Sequence, residues 1–496
     1  MALKRFVESS FLVLGSNVLA KTLSFLTISI IARILSTQEV GIYNGLLTVA
    51  LSINQMADLG FGIILQRESA RVNVSGSKKL GNIYGVAILF TLILNGIIFL
   101  AITFFDDYFF HLLIGTEAKI SIQFFRLIPY IIFFQYLNQL PSYLIMGVGE
   151  FREYAKRTIA SNFFSILLIP IACYYGGVAF ALQSFAAVLM LTSIFSWRIA
   201  IKILKEKNIE LSLESFFPEL KNLLVGGFFY YLGNTLVGTL FSIMTVNLVA
   251  TYVGVSELGY LRLASSLAVI VGIIPAALAP VLLSFTAAGD TSENVRLKSL
   301  TIRFVTAFVF FITVAVIILS KIIIPILFGS KYLDGIVLFN VSIALNFLII
   351  ITSLFNNFLT AKGYLSYIGV LAVVFALVNI ALSYFLIPSM GINGYFIAGF
   401  TTYVLSLLGG AGKEFWTTEY GSDRYLLTNL LGILIGVSIV FLGLSYILSF
   451  YLIFAIFIIV FPSLFFKLAL NDSEKLQLNS YLATIKTKIQ HQFNGV

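Results

Sequence analysis

The chain has 496 residues, 59% of them apolar and 11% charged, with a mean hydropathy of +1.01 and a net charge of +9. No soluble domain has that composition, so the chain is expected to be an all-α membrane protein. A single cysteine (Cys173) excludes an intramolecular disulfide, two histidines (His111 and His491) give no metal ligand set, and basic residues scattered between apolar runs argue against nucleic acid as a partner.

Apolar runs recur about every 30 to 40 residues from Phe11 to Leu470, with no sizeable polar block between them. The first is followed by no small-residue cleavage pattern and is read as a retained span. About fourteen spans are expected, near 10–35, 40–65, 80–105, 121–147, 154–176, 178–198, 221–253, 259–287, 303–328, 334–361, 366–388, 391–411, 426–447 and 449–470.

Four of these spans carry polar residues at helical spacing. Span one has Ser10, Asn17, Lys21 and Ser24 in one sector, with Lys21 near its middle, and span two has Asn44, Thr48, Gln55, Asp58 and Gly62. Span four has Gln135, Gln139 and Ser142, and span ten has Ser342, Asn346, Ser353, Asn357 and Thr360. Polar groups in hydrocarbon face a bundle interior or a wet cavity, so Lys21, Asn17, Ser24, Gln55, Asp58, Gln139, Asn346 and Asn357 are the candidates for a substrate cavity. The competing reading, interhelical hydrogen-bonding glue, fits the neutral residues as well. It fits Lys21 poorly, because a lysine at mid-span cannot snorkel to the interface. Asp58, nearer one end, serves equally as a counter-ion for Lys21 or Arg67.

The connections alternate in charge. One set holds Lys4 and Arg5; Arg67, Arg71, Lys78 and Lys79; Arg152, Lys156 and Arg157; Lys202, Lys205 and Lys207; Arg296 and Lys298; Lys413 and Arg424; and Lys475, Lys486 and Lys488. About 24 of the 31 Lys and Arg residues fall on this side, which the positive-inside rule makes cytoplasmic, with both termini inside. The other side is nearly empty of Lys and Arg, and its longest connection, near Phe105 to Ser121, carries Asp106, Asp107 and Glu117 and is too short to fold as a domain. Arg33, Arg126 and Arg262 run against this bias, and guanidinium forks suit an anionic headgroup, so these three are the candidates for holding one, against snorkelling to lipid phosphates.

The charged connection from Lys202 to Lys221 divides the chain. The expected domains are a six-helix lobe (1–200), a cytoplasmic linker (201–220), a second six-helix lobe (221–411), an accessory helix pair (412–470) and a cytoplasmic tail (471–496). A faint repeat supports the division: Glu39-Val40-Gly41 matches Glu257-Leu258-Gly259, Gly149 matches Gly363, and Gly177 matches Gly391. Lobes of six spans have the same orientation in the membrane, which makes the repeats parallel. No Walker loop, His-Glu-x-x-His or Gly-x-Ser-x-Gly motif occurs, so no catalytic residues and no cofactor are expected.

The two lobes plus a pair of spans, with Ala32-Arg33-Ile34-Leu35-Ser36-Thr37-Gln38-Glu39-Val40-Gly41-Ile42-Tyr43 and Ala57-Asp58-Leu59-Gly60-Phe61-Gly62, resemble the Wzx-type polysaccharide flippases of the multidrug/oligosaccharidyl-lipid/polysaccharide superfamily. The architecture extends over the whole chain, the motifs mainly over the first two spans. The resemblance implies a flippase in the cytoplasmic (inner) membrane that carries a polyprenyl-diphosphate-linked oligosaccharide outward by alternating access, for O-antigen or other surface polysaccharide. It implies a cationic cavity around Lys21, diphosphate contacts from Arg126 and Arg262, and a groove for the lipid tail along the appended spans from Tyr425 to Leu470. Its partners would be the lipid-linked glycan, the bilayer, a proton or sodium ion, and other polysaccharide-assembly proteins. A lipid II flippase and a cation-coupled drug antiporter are alternatives within the superfamily; a polysaccharide polymerase or ligase is the alternative of another class, for which the chain lacks a large outer loop.

Overall fold

A computed structural model describes residues 2–62, 65, 77–114, 120–268, 271–272, 292–418, 420, 423–444, 450–472 and 474–476. Arg67, Arg71, Glu117, Lys486, Lys488, His491 and the end of the eighth expected span lie outside them. Among the described residues all regular structure is helical. In chain order the helices are α1 (Ala2–Ile34), α2 (Thr37–Ala57), α3 (Ser77–Phe104), α4 (Asp106–Leu113), α5 (Ile122–Phe125), α6 (Ile128–Gly147), α7 (Phe151–Glu206) and α8 (Phe216–Tyr231). A π turn (Leu232–Leu236) leads into α9 (Val237–Tyr252), followed by α10 (255–268), α11 (Ser292–Leu327), α12 (Ile336–Ala361), α13 (Leu365–Met390), α14 (Ile392–Thr417), α15 (Asp423–Leu444) and α16 (Phe450–Leu468).

Eight described helical stretches are long and apolar enough to cross a membrane, and one of them, Phe151–Glu206, is about 84 Å long at 1.5 Å per residue, enough for two crossings. It is broken by a kink at Gly176 and Gly177, whose φ/ψ of −144/21 and 59/−144 are not helical. Lipid-facing side chains explain the exposed apolar surface: on α3, Ile93, Ile97, Leu100 and Phe104 recur at helical spacing and are all at least half exposed.

The glycine pairs of the repeat have matching backbones. Gly177 (φ 59, ψ −144) and Gly391 (φ 60, ψ −137) take nearly the same conformation, one in which a side chain would be strained, and Gly149 (φ 82) pairs with Gly363 (φ 86). Each pair is 214 positions apart, so the chain takes the same local backbone turn at both members of each pair. Alanine at Gly177 is expected to destabilise the chain by about 1–3 kcal/mol, and the same change at Gly149, also at positive φ, by less, in thermal unfolding of the detergent-purified protein.

The chain forms two compact units, Met1–Ile273 with Ile324–Leu348 and Tyr364–Gly409, and Ile274–Ile323 with Ile349–Gly363 and Gly410–Val496. In the first, α3, α6 and the second half of α7 enclose a core that includes Tyr84, Ile145 and Ala200. The expected linker is shorter than the sequence suggests, because α7 continues to Glu206. The strap that follows lies on α3 where two glycines leave room: Ser212 donates its N–H to the Gly81 carbonyl (3.3 Å), and a Cβ on either Gly81 or Gly85 would overlap strap carbonyls. Lys78–Glu214 (3.1 Å) and Lys207–Glu150 (3.3 Å) tie its two ends.

In the second unit, α11 and α16 pair phenylalanines in a stack: Phe311 lies parallel on Phe457 (5.2 Å), Phe310 is tilted against Phe461 (5.2 Å) and Phe304 meets Phe465 edge to face (5.3 Å). Aromatic pairs add about 0.5–1.5 kcal/mol each beyond area burial. Below the stack, fully buried Arg303 forks onto Glu474 with two 2.9 Å hydrogen bonds and donates to the Ala469 carbonyl at 2.6 Å. This pair fixes the chain just beyond α16 to α11.

Candidate functional site

The polar face of α1 is open. Asn17, Lys21 and Ser24 are exposed along it, and Ser24 donates to the Asn162 amide oxygen on α7 (2.9 Å). Among the described residues Lys21 has no ion pair. A charged side chain exposed on a mid-span helix face needs water or an anion beside it, because hydrocarbon solvates neither its charge nor its donors.

On α2 the stripe is partly engaged. Gln55 is exposed and accepts from Thr239 of α9 (3.4 Å), and Asn44 turns inward and donates to the Val40 carbonyl (2.9 Å). Asp58 caps the C-terminus of α2, where Leu59 (φ 48) and Gly60 (φ 78) break the helix, and its carboxylate accepts the Gly62 N–H at 3.4 Å. Tyr136 and Tyr143 of α6 lie within electrostatic reach of it, and Gln139 sits between them on the same face of α6. Asn346 donates to the Ser342 carbonyl of its own helix (2.9 Å), and Asn357 belongs to the second unit.

The three candidate arginines do not form one cluster of free guanidinium groups. Arg126 is paired with Asp106 (2.6 Å), a contact that holds the Asp106 carboxyl below the usual carboxylate range. Arg33 donates to the last carbonyls of α11, at Ile326 and Leu327, groups that a helix terminus leaves without intrahelical partners. Arg262 is exposed and lies near buried Tyr43. Since Arg126 is exposed and Asp106 only partly covered, Arg126→Ala is expected to leave the unfolding midpoint nearly unchanged in the same assay.

Sequence reasoning overlooked Lys331. It donates to the Arg33 and Leu35 carbonyls at the end of α1, and Tyr332 donates to the Ala32 carbonyl (3.1 Å). Its position on the side poor in basic residues was the available signal. Around this clasp the first unit is closely packed. Ser36 and Glu39 form a capping box at the start of α2. One turn on, Gly41 lies against the Val255 carbonyl so closely that a Cβ would overlap it. A Cβ on Gly259 would come within 2.8 Å of the Thr37 carbonyl and 3.1 Å of the Gly41 nitrogen. The two Glu-x-Gly motifs of the repeat therefore meet face to face, and their glycines permit the backbones of α2 and α10 to touch.

Over residues 6–283 the chain matches the family described as polysaccharide biosynthesis protein. Among solved structures it is similar to the lipid II flippase MurJ in an inward closed conformation, at 16% identity and TM-score 0.67, covering 91% of this chain and 98% of that one. It is also similar to an inward-facing multidrug resistance MATE family transporter of the MOP superfamily, at 16% identity and TM-score 0.68, covering 79% and 94%. A MOP superfamily transporter from Pyrococcus furiosus matches at 16% identity and TM-score 0.54, covering 83% and 95%. No curated protein sequence matches the chain. At such identities the likeness establishes the fold alone, a multi-pass helical membrane fold shared with these structures.

Proposed function

The chain belongs to the polysaccharide biosynthesis protein family, and from that premise we propose that it is a flippase moving a polyprenyl-diphosphate-linked oligosaccharide from the inner to the outer leaflet of the cytoplasmic membrane. The observation that carries the proposal is Lys21, exposed, without an ion pair among the described residues and flanked by Asn17 and Ser24 on the open face of α1. A cation in that position favours an anionic headgroup and disfavours a cationic drug. Amide and hydroxyl neighbours, with Gln55 on α2, suit sugar hydroxyls. Arg262 is the arginine assigned to the diphosphate, since Arg33 and Arg126 are occupied by protein partners.

Transport proceeds by alternating access. With the basic connections inside, the meeting of Gly41 and Gly259 is an outer seal, so the conformation described is closed to the outside. The chain acts as a transporter and not as an enzyme. Which sugar it carries is a property of the saccharide cavity.

The test is reconstitution in proteoliposomes with a fluorescent polyprenyl-diphosphate oligosaccharide, following headgroup accessibility. Lys21→Ala is expected to slow flipping at least tenfold, and Lys21→Arg to retain most of it. Because the side chain is exposed and unpaired, stability should change by less than about 0.5 kcal/mol in both variants. Absence of flipping by the wild type, together with pH-driven export of a cationic dye, would overturn the proposal in favour of a drug antiporter.

A further inference from the structure

The surface of the short helix α4 (Asp106–Leu113) divides into three sectors. At 100° per residue, Phe110 and Ile114, just past the helix end, fall on one side, and both are buried. Asp107 and His111 share a second, exposed side, with the imidazole 3.6 Å from the carboxylate. Phe105, Tyr108 and Leu112 lie within about 60° of one another on the third. Each of these three is more than half exposed, and together they form a contiguous apolar face that no protein element covers among the described residues.

The level of α4 in the bilayer follows from its neighbours. With 28 residues, α3 is about 42 Å long, the width of a bilayer including its headgroups. At Phe105 (φ −116, ψ 39) the helix breaks, so α4 begins where α3 has already reached the far headgroups. The chain then re-enters the membrane without leaving that level. Phe110 meets Phe125 of α5 edge to face at 5.6 Å, and Asp106 accepts from Arg126 at 2.6 Å, just before α6 starts at Ile128. These contacts pin α4 beside the entry point of α6, where Tyr130 is also exposed. The exposed row of α3, Ile93, Ile97, Leu100 and Phe104, faces lipid, and the chain continues it directly into Phe105, Tyr108 and Leu112.

We propose that α4 is an interfacial helix. It lies in the plane of the membrane, in the leaflet where α3 ends, with Phe105, Tyr108 and Leu112 set into the boundary between headgroups and acyl chains. A phenol flanked by apolar side chains suits that boundary, and the separate sector of Asp107 and His111 stays in water. Lipid fits this face better than a protein partner does, because the face extends a surface that is already in lipid and carries none of the charged side chains of α4. Placed there, the helix holds the adjoining ends of α3 and α6 at a fixed depth. The assignment is independent of what the chain transports.

The experiment is spin-label accessibility on the full chain in phosphatidylcholine proteoliposomes, in a Cys173→Ser background. A nitroxide is attached in turn to the Tyr108→Cys, Leu112→Cys and Asp107→Cys variants, all at exposed positions that accept a label without repacking. Spectra are taken on monodisperse protein only. Collision rates are measured with oxygen, which concentrates in lipid, and with a neutral nickel chelate, which stays in water. The Tyr108→Cys and Leu112→Cys labels should show an oxygen-to-nickel ratio roughly threefold or more above that of the Asp107→Cys label, at a depth of about 5–10 Å into the interface. Equal access of the nickel chelate to all three labels would overturn the proposal, since α4 would then stand in water. Shielding of the Tyr108→Cys and Leu112→Cys labels from both reagents would overturn it too, as would spin–spin broadening between copies, since protein would then cover the face.

Discussion

On the proposed function, leucine at Gly41 is expected to open the outer seal and to stop transport. The reason is geometric. Even the first carbon of a side chain would overlap the Val255 carbonyl, and backbone cannot give way as the end of a flexible side chain can. Forcing extra carbon into a packed contact costs about 1–3 kcal/mol, about 5- to 150-fold in the ratio of closed to open protein. A protein that seals one side poorly alternates poorly, so flipping should fall by about 5- to 150-fold while the helices remain folded. The measurement is labelling of Val40→Cys, in a Cys173→Ser background, by a membrane-impermeant maleimide added from outside. Val40 is fully buried beside Gly41, so the cysteine should be protected in the parent and labelled once leucine is present. Gly259→Leu should behave in the same way, because Gly259 meets the same turn of α2 from the other repeat. Protection that persists in both leucine variants would mean that the glycine contact is not the seal.

Glu474→Ala should produce the largest loss of stability in the second unit. Arg303 is wholly buried and Glu474 nearly so, and removing one partner leaves the other charge without compensation, a cost of about 3–5 kcal/mol. The Asp423 carboxylate, ion-paired to Arg303 at 4.0 Å, would still compensate part of that charge without the fork's two hydrogen bonds, which places the loss at the lower end of this range. Replacing both partners, as Arg303→Met with Glu474→Leu, should be far milder than the single change. The contact is also sensitive to acid. Burial alone would raise the Glu474 pKa, but hydrogen bonds from Arg303 and the Asn471 N–H override it and hold the carboxyl below the ordinary glutamate range. A group whose pKa is depressed on folding contributes its stability above the unfolded value, near 4.3, and loses it as pH falls through the lower folded value. Thermal unfolding from pH 7 down to pH 3 should therefore show a steeper decline for the parent than for the double variant.

Much of this protein is decided locally. Apolar runs of membrane length specify helices because a spanning segment must satisfy its own backbone hydrogen bonds, and turn glycines mark where each lobe reverses. That is why the helical architecture and the repeat were legible, with Gly177 and Gly391 returning the same backbone angles 214 positions apart. The polar stripe on α1 was legible for the same reason: helical period alone places Asn17, Lys21 and Ser24 on one face.

Residue type and spacing are silent about partners far away in sequence. Arg33 and Arg126 read as free guanidinium groups, yet each meets a protein acceptor, the end of α11 in one case and Asp106 in the other. Asn54 and Asn95 were not among the sequence candidates, and only the packing of α2 and α3 against α6 leaves their oxygens buried without a hydrogen bond among the described residues. Gly41 and Gly259 were visible as repeat marks, but the folded chain alone brings their backbones into contact. The sequence by itself determined which segments are helices and which faces are polar, because both depend on neighbours within a turn or two. Tertiary structure decided which of those polar groups are satisfied and which helices touch, because burial and close approach depend on contacts between residues hundreds of positions apart.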